Sequence, residues 1–168
     1  MSKKLQCLFA LSAITCIVAL DQVTKWWAEK ALANGPIPLL KNVFELQLVH
    51  NTGAAFGIFK GNTYLLLALP GLLVLVLLFL YVKAPAHNRL LPLRLVFLFL
   101  AAGGIGNLID RIRFGYVVDF LYFKLIDFPV FNVADIFATV SSFLLIFLLL
   151  FYYKDEDLTW LFPGDKAK

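Results

Sequence analysis

Charged residues are scarce in this chain: only 15% of its 168 residues are Asp, Glu, Lys or Arg, whereas 61% are hydrophobic and 17 are Phe. Soluble domains average about 25% charged and about 45–50% apolar residues. A domain of this size has too much surface to hide so many apolar side chains from water. The composition therefore excludes a water-soluble globular protein and indicates one that lipid surrounds.

Further shortages exclude other classes of protein. The net charge is +4, but Lys and Arg stand singly or in pairs beside apolar blocks, which excludes the basic stripe of a nucleic-acid-binding protein. The two cysteines, Cys7 and Cys16, lie about 13 Å apart on one helix at ~1.5 Å per residue, too far for a disulfide. The sequence contains no His-Glu-x-x-His and no Gly-x-Ser-x-Gly. No ligand spacing indicates a metal, and no cofactor is expected.

Four apolar blocks are long enough to cross a membrane, which requires ~20 helical residues. We predict spans at about residues 5–29, 64–82, 90–110 and 135–153. The first block also resembles a secretory signal peptide, because lysines precede it, but we favour an uncleaved span. Trp26 and Trp27 are expected at the membrane interface, and Arg94 is expected to extend toward the headgroups.

The predicted fold class is an all-α membrane protein, a four-transmembrane-helix bundle that forms one domain over residues 1–168. Apolar and polar side chains alternate over residues 44–48, which is typical of a half-buried strand. We therefore place a small extracytoplasmic β-sheet at about residues 36–62, with a turn at 51–53 and a polar tip at 60–62. The even number of spans and the basic turn at 83–89 place both termini in the cytoplasm.

Polar residues gather at the outer ends of these spans and in the outer loops. A charge at a helix centre costs about 2.5–3.5 kcal/mol on insertion, so such a cluster indicates a functional site. Its members are Asp21, Asn51, Asn107, Asp110, Arg111, Asp119, Asn132 and Asp135.

Several members also have a purely structural interpretation. Asn132 fits a helix N-cap with Asp135 at the third helical position, and Asp110 with Arg111 fits an ion pair at a helix end. Asp21 and Lys25 fit an i,i+4 brace, with Arg111 or Asn51 as expected further partners.

Asp119 and Asp135 are separated by 15 residues, enough for the chain to return across the same outer surface. Two facing carboxyl groups in a site poor in water share one proton, which supplies a general base and a general acid for peptide hydrolysis. The glycines at 103, 104 and 106 are expected to let a neighbouring helix approach closely.

Four segments together resemble the lipoprotein signal peptidase (signal peptidase II) family: residues 21–25 (DQVTK), 51–57 (NTGAAFG), 106–120 (GNLIDR with GYVVDF) and 131–135 (FNVAD). They occur in the family's order over about residues 18–140. Ala138 and Ser141 depart from the pattern, where a larger aliphatic residue and a glycine are expected.

The resemblance implies an aspartic endopeptidase of the bacterial inner membrane with its site at the outer face, and a monomer is expected because one chain contains the whole set of site residues. It would remove the signal peptide of diacylglyceryl-modified prolipoproteins before the lipidated cysteine, on a β cradle lying on the membrane. Asp119 and Asp135 would be catalytic. Supporting or substrate-binding positions are assigned to Asp21, Lys25, Asn51, Gly53, Gly103, Asn107, Asp110, Arg111 and Asn132.

A small proton-coupled transporter that uses the same carboxylates is the alternative. Such a carrier needs ionisable groups at successive depths, but the interiors of the second and fourth spans have none. A purely structural subunit would have no reason to concentrate Asp residues at one end.

Overall fold

A computed structural model describes residues 3–53 and 63–161. Within these ranges it contains four long helices: α1 (Lys3–Ala31), α2 (Thr63–Lys83), α3 (Leu91–Phe114) and α4 (Val133–Phe147). A π-helical segment, Leu148–Tyr152, continues α4, and a short helix α5 (Asp155–Leu158) follows. Short 3-10 turns span Asn88–Leu90 and Lys124–Ile126. The four long helices are long and apolar enough to cross a membrane.

Helix α3 lies at the centre of the bundle and packs against α1, α2 and α4. Its apolar residues Leu93, Val96 and Leu98 are almost completely buried. The outer surface of the bundle is also apolar: Leu75 and Phe143, on α2 and α4, are 66% and 70% exposed. Because hydrocarbon rather than water solvates such side chains favourably, the surface is that of a membrane protein.

Glycines on α3 allow this close packing, as the sequence predicts. A Cβ on Gly103 would lie 2.6 Å from the backbone oxygen of Ala134 in α4, and one on Gly104 would lie 2.7 Å from Val74 in α2. A Cβ on Gly106 would lie 2.6 Å from Asp21 Oδ2 in α1. One stretch of α3 therefore contacts three helices at distances that no larger residue permits.

The sheet has three antiparallel strands in the order β1 (Ile37–Leu40), β2 (Phe44–Asn51) and β3 (Val117–Tyr122). The first two lie in the predicted β region, whose polar tip at 60–62 falls outside the described residues. Strand β3 was not predicted. Its first four residues are all buried, since β3 packs against α1 and α3 as well as β2, so it lacks the alternation that revealed β2.

The sheet lies at the end of the bundle where α1 and α3 finish and where α2 and α4 begin. The opposite end carries α5, whose Asp157 forms an ion pair with Arg89 at 3.1 Å. The polar cluster predicted from the sequence therefore lies toward the sheet end, since its members are in β2, in β3, at the start of α4 or in the last three turns of α1 and α3.

Arg94, which we expect from the sequence to extend toward the headgroups, is buried among neighbouring helices. Its side chain is 5% exposed, donates to Gln6 Oε1 at 2.9 Å and lies over the Tyr81 ring at 4.4 Å. Because Arg94 occupies the face of α3 turned toward α1 and α2, its guanidinium group is enclosed between helices.

Candidate active site

Asp119 is placed by β3 and held by two amides. Its side chain is 2% exposed. Asn51 Nδ2, at the end of β2, donates to Asp119 Oδ2 at 2.9 Å, and Asn132 Nδ2 donates to Oδ1 at 2.7 Å. Both carboxylate oxygens thus accept a hydrogen bond from a neutral donor.

The start of α4 forms a capping box. The Asn132 side chain accepts from the Asp135 backbone N–H at 3.0 Å, and Asp135 Oδ2 accepts from the Asn132 N–H at 3.1 Å. The N-cap interpretation is therefore correct. It does not exclude a second role, because the free ends of both side chains contact residues of other elements.

Asn107 and Asn132 link the two acids into one network. Asn107 Nδ2 donates to Asp135 Oδ1 at 2.7 Å, and Asn107 Oδ1 accepts from Asn132 Nδ2 at 3.0 Å. Since Asn132 also donates to Asp119, hydrogen bonds run from Asp135 through both amides to Asp119. The network fixes the orientation of each carboxyl group.

Asp119 and Asp135 line one cavity of about 550 Å³ together with Asn51, Asn107 and Arg111. The remaining wall is mostly apolar and comes from β3, from the segment before α4 and from α4 itself. These lining residues are Val117, Phe123, Ile126, Phe128, Pro129, Val130, Phe131, Ile136, Thr139 and Val140. The cavity therefore combines a polar floor with a wall that suits an apolar ligand.

The pKa of Asp119 is raised from 3.8 to about 6. Burial is the main cause, since it disfavours the charged form, and the negative charge of Asp135 adds to it. The hydrogen bonds from Asn51 and Asn132 act in the opposite direction. A carboxyl group that gains or loses its proton near neutral pH can serve in acid–base chemistry.

A buried ionic group lies behind the amides. Lys25 Nζ is 2.9 Å from Asp21 Oδ2, 2.9 Å from Asp110 Oδ2 and 2.9 Å from Asn107 Oδ1. Asp21 Oδ1 also accepts from the Ala134 backbone N–H at 2.8 Å. The lysine thus joins α1 to α3 and holds the Asn107 oxygen, which leaves the Asn107 amide nitrogen facing Asp135.

Several expected pairings of these residues were wrong. Asp110 does not pair with Arg111: it binds Lys25 and accepts from the Val118 backbone N–H at 3.1 Å. Arg111 Nη2 instead donates to the Gly53 carbonyl at 3.1 Å. The Asp21–Lys25 pair is present, but its further partners are Asp110, Asn107 and the start of α4, not Arg111 or Asn51.

Two further residues, Gly103 and Gln22, support the site without lining the cavity. Gly103 packs against the Ala134 carbonyl and is not part of the cavity wall. Gln22 was not predicted, yet its Nε2 donates to Asp110 Oδ1 at 2.8 Å and to the Gly106 carbonyl at 3.2 Å. Its position directly after Asp21 in the first resembling segment was the signal that could have identified it.

The sequence departures in α4 are accommodated by packing. Ala138 lies 3.3 Å from where a Gly103 Cβ would stand, and Ser141 is 2% exposed.

Within residues 3–53 and 63–161, no three His, Cys, Asp or Glu side chains are grouped closely enough to hold a metal ion.

The four spans and the enclosed polar site define a multi-pass membrane protein. The profile of the signal peptidase (SPase) II family matches residues 13–151, and the chain belongs to this family of peptidases.

Lipoprotein signal peptidases of several bacteria are close in sequence. The chain is 42% identical to that of Caldanaerobacter subterraneus, over 84% of this chain and 96% of that protein. It is 39% identical to that of Clostridium novyi, over 79% and 91% of the two chains. Two solved bacterial membrane enzymes have a similar structure. The first matches at a TM-score of 0.77 with 26% identity, over 95% of this chain and 93% of that one. The second matches at a TM-score of 0.76 with 28% identity, over 86% of this chain and 94% of that one.

Proposed function

We propose that this protein is an aspartic endopeptidase that removes the signal peptide of diacylglyceryl-modified prolipoproteins, with Asp119 and Asp135 as its catalytic pair. The observation that carries the proposal is that two buried carboxyl groups from different elements line one cavity and are oriented by a shared set of amides. Membership in the signal peptidase II family supports the reaction.

In the proposed mechanism the two carboxyl groups hold one proton between them. The ionised group removes a proton from a water molecule, whose oxygen attacks the carbonyl carbon of the scissile peptide bond. The protonated group donates to the carbonyl oxygen, and a proton then passes to the amide nitrogen as the C–N bond breaks. The raised pKa of Asp119 supports this scheme, because a carboxyl that titrates at about 6 can take both roles near neutral pH.

The amides hold the pair in place during this cycle. Asn51, Asn107 and Asn132 are neutral, so they orient the carboxyl groups and leave the shared proton to the pair. Lys25 acts as a positioning residue through the Asn107 oxygen. Arg111 lines the cavity and is fixed to Gly53, a position suited to binding the substrate backbone.

The apolar wall of the cavity suits a lipidated substrate. Ile136, Thr139 and Val140 belong to α4 within its span, so an acyl chain can lie against them without leaving the hydrocarbon. Leu39 and Leu40 of β1 are apolar but 53% and 61% exposed, as expected if the sheet forms a cradle that rests on the membrane. This proposal places the site at the outer face of the bacterial inner membrane, with both termini in the cytoplasm.

We expect a monomeric enzyme, because both proposed catalytic acids and the amides that orient them belong to one chain. The proton-coupled transporter is not favoured, because the family and its relatives are peptidases.

The test uses purified protein in detergent with a diacylglyceryl-modified precursor and its unlipidated twin. We expect signal peptide to be released from the lipidated precursor alone. Asp119→Asn and Asp135→Asn should each lower the rate by about 10²–10⁴-fold, since each removes one partner of the acid–base pair. Cleavage of both precursors at equal rates would disprove the requirement for lipid.

Asp127→Asn is the matched control for these variants. Asp127 is exposed and is not among the residues that line the cavity. Its carboxyl group accepts a hydrogen bond from the Tyr122 hydroxyl at 2.5 Å, which lies outside the network that joins Asp119 and Asp135. Its φ of 47° is one that Asn also adopts. The control should retain the wild-type rate, and wild-type turnover by either Asp119→Asn or Asp135→Asn would refute the assignment of the pair.

A further inference from the structure

Arg94 carries a buried charge that the proposed reaction does not use. It lies one turn into α3, at the end of the bundle opposite the polar cluster, and is 5% exposed. Its Nη2 donates to the neutral Gln6 side chain at 2.9 Å. Within residues 3–53 and 63–161, Arg94 forms no ion pair with any carboxylate.

The Nε–H of Arg94 is buried and has no hydrogen-bond partner in the described part of the chain. Tyr81 does not supply the missing acceptor for this N–H. Its hydroxyl donates to the Gln6 backbone oxygen at 3.0 Å, and its ring lies over the face of the guanidinium group at 4.4 Å. A buried cation with an unsatisfied donor is costly in a membrane protein unless an anion approaches it.

Arg94 opens on a second cavity, of about 210 Å³, which is separate from the acid-lined one. Its other lining residues are Phe9, Tyr81, Leu91 and Leu95. The cavity thus has one cationic group and an otherwise mostly apolar wall. Gln6 and Phe9 lie in the first two turns of α1, Tyr81 in the last turn of α2 and Leu91 at the start of α3, so the cavity lies at headgroup depth.

We propose that this cavity binds an anionic phospholipid, with the headgroup phosphate on the Arg94 guanidinium and an acyl chain along Phe9, Leu91 and Leu95. Guanidinium groups bind phosphate oxygens through paired N–H donors, and Arg94 is the cationic residue that lines this cavity. Basic pockets between transmembrane helices are known sites for anionic headgroups. The lipid would neutralise a charge that has no carboxylate partner among the described residues.

The test measures lipid binding to the full chain in detergent by native mass spectrometry. The probes are phosphatidylglycerol, phosphatidylcholine with the same acyl chains, and free glycerol phosphate. We expect phosphatidylglycerol to bind most tightly and free glycerol phosphate not to bind. Arg94→Gln should weaken phosphatidylglycerol binding about tenfold, since about 1.4 kcal/mol of charge-assisted hydrogen bonding is lost.

Arg89→Gln is the matched control, because it removes the same charge at the same end of the bundle but from a partly exposed residue paired with Asp157. It should bind phosphatidylglycerol as the wild type does. Equal weakening in both variants would show a general surface attraction and overturn the proposal, as would equal affinity for phosphatidylcholine or tight binding of glycerol phosphate.

Leu95→Trp keeps the test decisive if Arg94→Gln does not fold. The indole fills the apolar part of the cavity and leaves the guanidinium in place, so phosphatidylglycerol binding should fall about tenfold with normal folding and peptidase activity. Unchanged binding in this variant would refute the proposed acyl-chain position.

Discussion

At the scale of single residues, Asn132 shows how one side chain can stabilise a helix and also orient a carboxyl group that we propose to be catalytic. Its oxygen caps α4, while its amide nitrogen donates to Asp119 and Asn107. The helix start thereby brings Asp135 to the cavity that Asp119 also lines. The capping interpretation and the proposed supporting role, which appear as alternatives in the sequence, use different atoms of the same side chain.

Asp119 should make the stability of the protein depend on pH. Its pKa is 3.8 ordinarily and about 6 in the folded protein, so between these values the folded state binds more protons than the unfolded state. The free energy of unfolding contributed by Asp119 therefore decreases as pH rises from about 4 to about 6, and is constant above that. Its total change is on the order of 3 kcal/mol, at about 1.36 kcal/mol per pKa unit.

Thermal unfolding in detergent at several pH values measures this effect. Asp119→Asn does not titrate, so its Tm minus that of the wild type should increase with pH across the same window. A difference that stays constant from pH 4 to pH 8 would contradict the raised pKa.

Lys25 is the residue whose loss should be most damaging to the fold. It is 3% exposed and neutralises Asp21 and Asp110, so Lys25→Met leaves two buried carboxylates without a cation. We expect a loss of about 3–5 kcal/mol in the free energy of unfolding. Lys30→Met, at an exposed residue of the same helix that lies over Trp26, should change stability little; equal losses in a denaturation series would refute the role of Lys25.

At the scale of elements, the contact between α3 and α4 depends on the absence of a side chain at Gly103. In Gly103→Ala the new Cβ would lie 2.6 Å from the Ala134 backbone oxygen, which cannot move without shifting the helix that carries Asp135. Overpacking of this kind costs about 1–3 kcal/mol, and peptidase activity should fall with it.

Gly71→Ala tests whether any added methyl group has this effect. Gly71 lies within α2 and has no atom within 4 Å of an added Cβ, so alanine should be neutral or stabilise the helix by up to about 1 kcal/mol. Thermal unfolding of the two variants side by side distinguishes them, and a Gly103→Ala protein as stable as the wild type would contradict the close approach.

At the scale of the whole molecule, the proposed topology places the sheet outside and the termini in the cytoplasm. Lys41, in the exposed turn between β1 and β2, and Lys154, after the fourth span, lie at opposite ends of the bundle. In a background without Cys7 and Cys16, Lys41→Cys should react with a membrane-impermeant thiol reagent in intact cells. Lys154→Cys should react only after permeabilisation, and the reverse pattern would invert the topology.

Local sequence patterns are enough to predict the number of spans, the β region before the second span and the end of the bundle at which the polar residues gather. These properties depend only on residues that are adjacent in sequence, because about 20 consecutive apolar residues span a membrane wherever the rest of the chain lies. The alternation of β2 is local in the same way.

Which donor meets which acid depends on how the helices and strands pack together. The Ala134 N–H that binds Asp21 lies 113 residues away in sequence, and nothing local indicates that Lys25 rather than Arg111 neutralises Asp110. Strand β3 and the burial of Arg94 are likewise consequences of neighbours packed on every side. Hydrogen-bond partners depend on distances between elements, which the order of residues along one element does not contain.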